Sequence, residues 1–413
     1  MINKKTNRLL SSMLSAALIV GLIQMPAFAV DNVQAQSSYA VNSGLIENNN
    51  SVEQNGVKIT LNSVFGTKNK LKATITIQTP APFDKDDREE ANVLLNYGDN
   101  KFNGGSTSFR HPDDKTLVIT IEDRFNKSVL PEKGPLRIDV VMQKYKVNVG
   151  LDTNVDFSDS LKNSMEKDYS IKIPQFNSTF NKLESDILGT HLSFTEPEET
   201  SLMRNNDVLT EHSFILKAGD KIYPLRHSNS YSSSSDENDR SIVTTYEAEG
   251  ATYEKIKDQP AISLIPISFT INSKDQKNLY KEEHNDKDMQ TINNVSYAKT
   301  FDFSDGSKGE IYNIQRDDNN VKVYLKGANE KESLLLASSL FMDYKDDNTK
   351  KGYDHDYYDG NERTTFYKDP NDSLGYIVEF SNVKKDVNTQ INYDPTISLI
   401  NAFTVGDEIQ LSK

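Results

Sequence analysis

The sequence predicts an all-β protein built from tandem β-sandwich units, and three observations predict it. Apolar and polar residues alternate with a period of two over many short segments. Asn, Asp and Gly bound those segments, as strand-to-turn transitions require. Helical periodicity is scarce, which points to sandwiches rather than to alternating strands and helices.

The first hairpin shows the pattern. Val57, Ile59 and Leu61 alternate with Lys58, Thr60 and Asn62, and after a turn at 66–69 Leu71, Ala73, Ile75 and Ile77 alternate with Lys72, Thr74 and Thr76. One face of the hairpin is thereby buried. Further strands are expected at 116–122, 136–147, 168–173, 212–217, 241–247, 261–271, 309–315, 321–326, 334–344, 374–380 and 397–411. Short helices are expected within 86–96 and 158–167. The stretch Ile262, Leu264, Ile265, Ile267 and Phe269 is the most apolar of the chain after residue 29. Pro266 within it lacks an N–H, so a bend or a sheet edge is expected there.

Val155-Asp156-Phe157-Ser158-Asp159 resembles Phe301-Asp302-Phe303-Ser304-Asp305, an aromatic strand end followed by a turn. The repetition suggests sandwich units at 51–155, 156–294 and 295–413, each of ordinary domain size. Two polar stretches are expected to be solvated loops: 227–240, which contains four consecutive serines, and 273–288, rich in Lys, Asp, Glu and Asn.

Residues 1–29 read as a secretory signal peptide. Lys4, Lys5 and Arg8 precede an apolar stretch from Leu9 to Met25, and Ala27-Phe28-Ala29 forms a small-x-small cleavage site. A second site lies after Ala35. Ser11, Ser12, Ser15 and Gln24 interrupt the apolar run, which falls short of the roughly 20 residues a spanning helix needs. Residues 30–50 read as a flexible leader, and no membrane span is expected in the cleaved chain. The expected location is extracellular or at the cell surface.

Composition narrows the function classes. The 413-residue chain carries a net charge of −14, and removing 1–29 makes it −17 over 384 residues. Such a chain repels nucleic-acid phosphate and anionic lipid, so nucleic acid is not an expected partner. The absence of cysteine excludes disulfides, thiolate metal sites and cysteine nucleophiles. Stability must come from apolar cores, to which 37 Tyr and Phe residues contribute. Tryptophan is absent, which disfavours carbohydrate stacking.

No phosphate-binding glycine loop, nucleophile elbow or zinc-binding helix motif occurs, and the six histidines lack metal-ligand spacing. The acidic segment 343–372 is the sharpest candidate. Asp354, Asp356, Asp359 and Glu362 are oxygen donors of the type Ca²⁺ prefers. The spacing fails a calcium loop, because the third acid and Gly360 each fall one position late; a solvated hairpin loop is the favoured reading. Tyr353, Tyr357, Tyr358 and Tyr367, interleaved with the acids, make the segment a candidate contact surface. No cofactor is expected.

The segment from Val52 to Val64, with Asn55-Gly56-Val57-Lys58-Ile59-Thr60-Leu61 at its centre, and the following Lys70-Leu71-Lys72-Ala73-Thr74-Ile75 resemble the opening of an extracellular family of unknown function from spore-forming Gram-positive bacteria. Ala261-Ile262-Ser263-Leu264-Ile265-Pro266 and Phe301-Asp302-Phe303 are similar to its C-terminal companion domain. The resemblance implies two or three immunoglobulin-like β-sandwich units in tandem. It also implies an ectodomain often encoded beside extracytoplasmic-function sigma factors. Only eight residues precede the apolar run, too few for the cytoplasmic sigma-binding segment of such proteins.

Together these readings give a secreted or envelope-associated, non-catalytic binding or structural protein whose partner is an envelope protein or polymer. The alternatives are a secreted hydrolase with a spatially assembled carboxylate site and an envelope-stress sensor ectodomain.

Overall fold

The computed structural model describes residues 51–68, 70–83, 91–98, 100–102, 106–124, 130–197, 208–234, 240–272, 288–345, 358 and 360–412. They fall into two compact units, one centred on residues 51–164 and the other on 165–345 and 360–412. Both are built almost wholly of antiparallel strands, so the protein is all-β.

In the first unit one sheet contains β1 (Ser51–Gln54), β2 (Val57–Gly66), β3 (Lys70–Gln78), β6 (Ser106–Asp113) and β7 (Thr116–Arg124), in the order β1-β2-β3-β7-β6. The other contains β4 (Asn92–Tyr97), β5 (Asn100–Phe102), β8 (Lys133–Met142) and β9 (Val147–Asp156), in the order β5-β4-β8-β9. Ile59, Ile75 and Ile119 of one sheet share a core with Leu95, Ile138 and Leu151 of the other, which makes the unit a sandwich.

A short helix, α1 (Ser158–Lys162), closes this unit. Its Ser160 hydroxyl donates to the Gly66 carbonyl at the end of β2. Phe157, fully buried, packs edge-on against Tyr97 at 5.4 Å. Gly66 is required where Phe157 packs, since a Cβ there would lie 2.5 Å from the Phe157 ring.

The second unit holds β10 (Met165–Ile173), β11 (Ser178–Asp186), β12 (Gly189–Pro197), β13 (Val208–Ala218), β14 (Lys221–Ser234), β15 (Arg240–Ala248) and β16 (Ile262–Asn272). It continues through β17 (Met289–Ile292), β18 (Val295–Ala298), β19 (Thr300–Asp302), β20 (Lys308–Asp317), β21 (Asn320–Lys326) and β22 (Leu340–Tyr344). It ends with β23 (Thr365–Lys368), β24 (Tyr376–Ser381), β25 (Thr389–Tyr393), β26 (Phe403–Val405) and β27 (Ile409–Ser412). The main path runs β10-β11-β12-β15-β14-β23-β24-β21-β20-β19, with β13 and β16 branching from β14. β17, β18, β25 and β22 form a separate small sheet in which β18 and β25 are parallel.

The expected division at 294/295 therefore does not separate two domains. β14 pairs with β23, and β16 pairs with both β26 and β27, so strands from either side complete one sheet. Main-chain pairing across long sequence separation decides this, and local alternation cannot report it.

Several expected elements are corrected. The segment expected as one strand at 136–147 is a hairpin, β8 and β9, turning at 143–146. Of the helix expected within 86–96, residues 92–97 form β4, and 84–90 lie outside the described residues. The loop expected at 227–240 is mostly strand: β14 runs to Ser234 and pairs with β15. The loop expected at 273–288 lies outside the described residues except for Asp288.

The strand expected at 334–344 begins as helix α3 (Glu330–Ser339), numbered after the single turn α2 (Tyr253–Ile256). Asn329 caps α3 by accepting the Glu332 N–H at 3.0 Å, and Glu332 in turn accepts the Ala328 N–H. Glu332 thus reaches one residue further back than in a capping box, in which it would accept the N–H of the cap residue itself. Leu334, Leu335, Leu336 and Ala337 are all buried, so their unbroken apolar run carried no 3.6-residue period to mark a helix. The strand expected at 397–411 is two 3₁₀ turns (Pro395–Ser398 and Ile400–Ala402) followed by the short β26 and β27.

Pro266 lies neither at a sheet edge nor at an interruption of the β13 ladder, but where the strand on the other side of β16 changes. On one side β16 pairs with β13 along its whole length. On the other, its partner changes from β27 at Leu264 to β26 at Ile267, with Pro266 in the interval. Its carbonyl accepts the Gly406 N–H at 2.8 Å.

Candidate functional site

The most distinctive feature of the second unit follows from the path of β14. Its first half, Lys221–Leu225, pairs with β13 from Ala218 back to Phe214. From Arg226 to Ser234 it pairs with β15 instead. β13 meanwhile continues beyond Phe214 to Val208 paired only with β16, among the described strands. The sheet thus forks at Phe214 and Leu225, and the fork opens into a cavity of about 1160 Å³. A bulge between His227 and Asn229 lies just past the branch, in a position where bulges re-aim side chains.

Aromatic packing forms the floor. Phe214 stacks on Phe194 at 4.2 Å and meets Tyr246 edge-on at 4.9 Å. These three are buried and belong to one apolar core with Phe180, Leu216 and Leu264. The Tyr246 hydroxyl donates to the His212 carbonyl at 3.2 Å, bridging β15 to β13 across the fork. Burial, and then the negative charges of Glu196 and Glu211, hold the Tyr246 phenol protonated well above its ordinary range. Both carboxylates, from β12 and β13, line the cavity.

The walls carry polar groups. On the β14–β15 side, His227 Nε2 lies 2.8 Å from Ser230 Oγ, which lies 3.1 Å from Thr244 Oγ1. Thr244 then donates to Glu196 Oε1 at 3.4 Å. On the β13 side, His212 stacks face-to-face on Phe176 at 4.0 Å. Burial pushes the imidazole pKa of His212 below its usual value, and that of His227 likewise, against an opposing pull from Glu247. Arg226 donates to the Asn361 carbonyl at 3.0 Å and approaches Glu362 at 3.7 Å. Asn361 is fixed in turn by two hydrogen bonds of 2.8 Å to the main chain of Met342. The lining holds four carboxylates (Glu196, Glu211, Glu362 and Asp394) and one guanidinium, so it is acidic at neutral pH.

Of the residues singled out from sequence, Asp354, Asp356, Asp359, Tyr353 and Tyr357 lie outside the described residues. Glu362 lines the cavity beside Arg226. Tyr358 is buried, at 3 % exposed, and so offers no contact surface. Tyr367 is a brace within the sheet: its hydroxyl donates to Glu379 at 2.8 Å and Lys221 Nζ lies 3.7 Å above its ring. Among the described residues no group of three or more His, Asp or Glu is placed to hold a metal ion. No described helix is long and apolar enough to cross a membrane.

Apart from Glu362, the fork residues escaped sequence reading. Glu196, Glu211, Arg226, Tyr246 and Glu362 are far apart in the chain, and only a change of strand partner brings them together.

No protein-family model matches the chain, and no curated protein matches it. A solved structure described as the conserved domain protein from Bacillus anthracis is similar over 55 % of this chain and 81 % of its own, at 16 % identity and a TM-score of 0.37. A likeness of that order carries no weight for fold or function.

Proposed function

We propose that this chain is an exported, non-catalytic binding protein that takes its ligand in the β13–β14 fork. The cavity carries this reading. It is large, floored by aromatic side chains and set with a few converging polar groups, the usual make-up of a binding site. Export is supported by the signal-peptide pattern of residues 1–29. An exported binder places its ligand outside the cytoplasm, on an envelope protein or polymer.

The acidic lining supports a second reading, a hydrolase using Glu196 and Glu211, since both carboxylates line the one cavity. One experiment separates the two. Isolated envelope proteins and wall polymers are titrated against the chain and against Ser230→Trp, which fills the cavity from an exposed position. Binding without turnover that Ser230→Trp abolishes supports the binding protein. Turnover lost in Glu196→Gln supports the hydrolase. Binding that Ser230→Trp leaves intact refutes the fork as the site.

A further inference from the structure

The same fork defines the chemistry of its occupant, an inference that rests on the binding reading. β13 and β14 are joined by a two-residue turn at Gly219-Asp220, closed by the pair Ala218 and Lys221. In such a hairpin the closing pair is hydrogen-bonded, and main-chain groups along a strand alternate between its two edges. Ala218, Leu216 and Phe214 therefore direct their N–H and C=O groups toward β14. By the same period, His212, Thr210 and Val208 direct theirs into the gap that β14 leaves on turning to β15. The Tyr246 hydrogen bond to the His212 carbonyl agrees with that direction. Over these residues no described strand pairs with this edge, and all three line the cavity.

An open strand edge inside a cavity accepts one kind of ligand best, an extended backbone that continues the ladder. The volume exceeds the roughly 300–1,000 Å³ of small-molecule pockets, which suits a chain rather than a compact metabolite. Charge sets the side chains. Four carboxylates against one guanidinium favour a cationic occupant, and the partly exposed rings of Phe341 and Phe403 suit its apolar residues. We propose that the fork binds an extended basic peptide segment, which adds as a strand to Val208–His212 with its cationic side chains toward Glu196 and Glu211.

The test uses the full chain and end-blocked, fluorescently labelled hexapeptides. The probe alternates Lys and Val; one comparator alternates Glu and Val, and another carries N-methyl groups on alternate amides of the Lys-Val probe. Expected are saturable binding of the probe, about tenfold weaker binding of each comparator, and a similar loss in the Glu196→Gln/Glu211→Gln double variant. Hydrogen exchange at the amides of Thr210 and His212 should slow on binding. Equal binding of the Lys-Val and Glu-Val peptides, or unchanged exchange at those amides, overturns the proposal. An apolar dye reports the cavity independently. A dye that binds the chain but not Ser230→Trp, with no peptide binding, leaves the cavity reading standing and removes the peptide. Dimerisation of the chain that Ser230→Trp abolishes would make the occupant a second copy and overturn the peptide assignment.

Discussion

The phenol of Tyr246 and the main-chain carbonyl of His212 are joined by a 3.2 Å hydrogen bond that ties β15 to β13 where the sheet divides. Tyr246 is 7 % exposed, so its hydroxyl has little access to competing water. The bond limits how far the two prongs of the fork can separate.

Tyr246→Phe removes this tie while keeping the ring that packs on Phe194 and Phe214. A buried hydrogen bond contributes about 1 kcal/mol net, and the carbonyl left behind raises the cost to about 1–3 kcal/mol. Urea unfolding should show a lowered midpoint with the slope unchanged. An unchanged midpoint would mean the two prongs are held by packing alone.

Alkaline pH should destabilise the first unit through Tyr97. Burial, and then the charge of Asp156, push its phenol up to about 12. The hydroxyl donates to the Pro131 carbonyl at 2.7 Å, which deprotonation would break. The unfolded chain releases this proton near its ordinary value of about 10. Stability from Tyr97 is thus fully present below pH 10 and is lost as pH rises toward 12. Melting temperatures at pH 9 and pH 11 should fall less in Tyr97→Phe than in the parent; equal falls would count against the assignment.

Gly66→Ala should destabilise the first unit without touching a turn. Its Cβ would meet the Phe157 ring at 2.5 Å in a fully packed core. Overpacking of this kind costs about 1–3 kcal/mol. Phe157→Leu in the same chain should recover part of the loss, because the ring creates the clash. If the double variant is as unstable as the sum of the two singles, the clash is relieved elsewhere.

Asn329→Ala should cost about 1 kcal/mol by exposing the first turn of α3, and Asn329→Ser should restore most of it. Circular dichroism carries little helix signal here, so thermal or denaturant unfolding is the measurement. A neutral Asn329→Ala would place the start of the helix under the control of its buried leucines instead.

Much of the fold was legible because it is local. The alternation of Val57–Leu61 and Leu71–Ile77 marks a hairpin with one buried face, and the structure pairs these residues in register as Ile59 with Ile77 and Leu61 with Ile75. The pair Asn329 and Glu332 that caps α3 was present in the sequence, although the apolar run behind it read as a strand.

The sequence by itself determined that this is an all-β protein with apolar strand faces, no cysteine chemistry and an acidic surface, since side-chain period, composition and charge belong to the chain before it folds. Only the tertiary structure decided that strands on either side of residue 295 share a sheet, that β14 abandons β13 for β15, and that Glu196, Glu211, Arg226 and Tyr246 meet around one cavity. The physical reason is that a period of two says which face of a strand is buried. It says nothing of which strand lies beside it, because main-chain hydrogen bonds are the same for every residue that donates and accepts them.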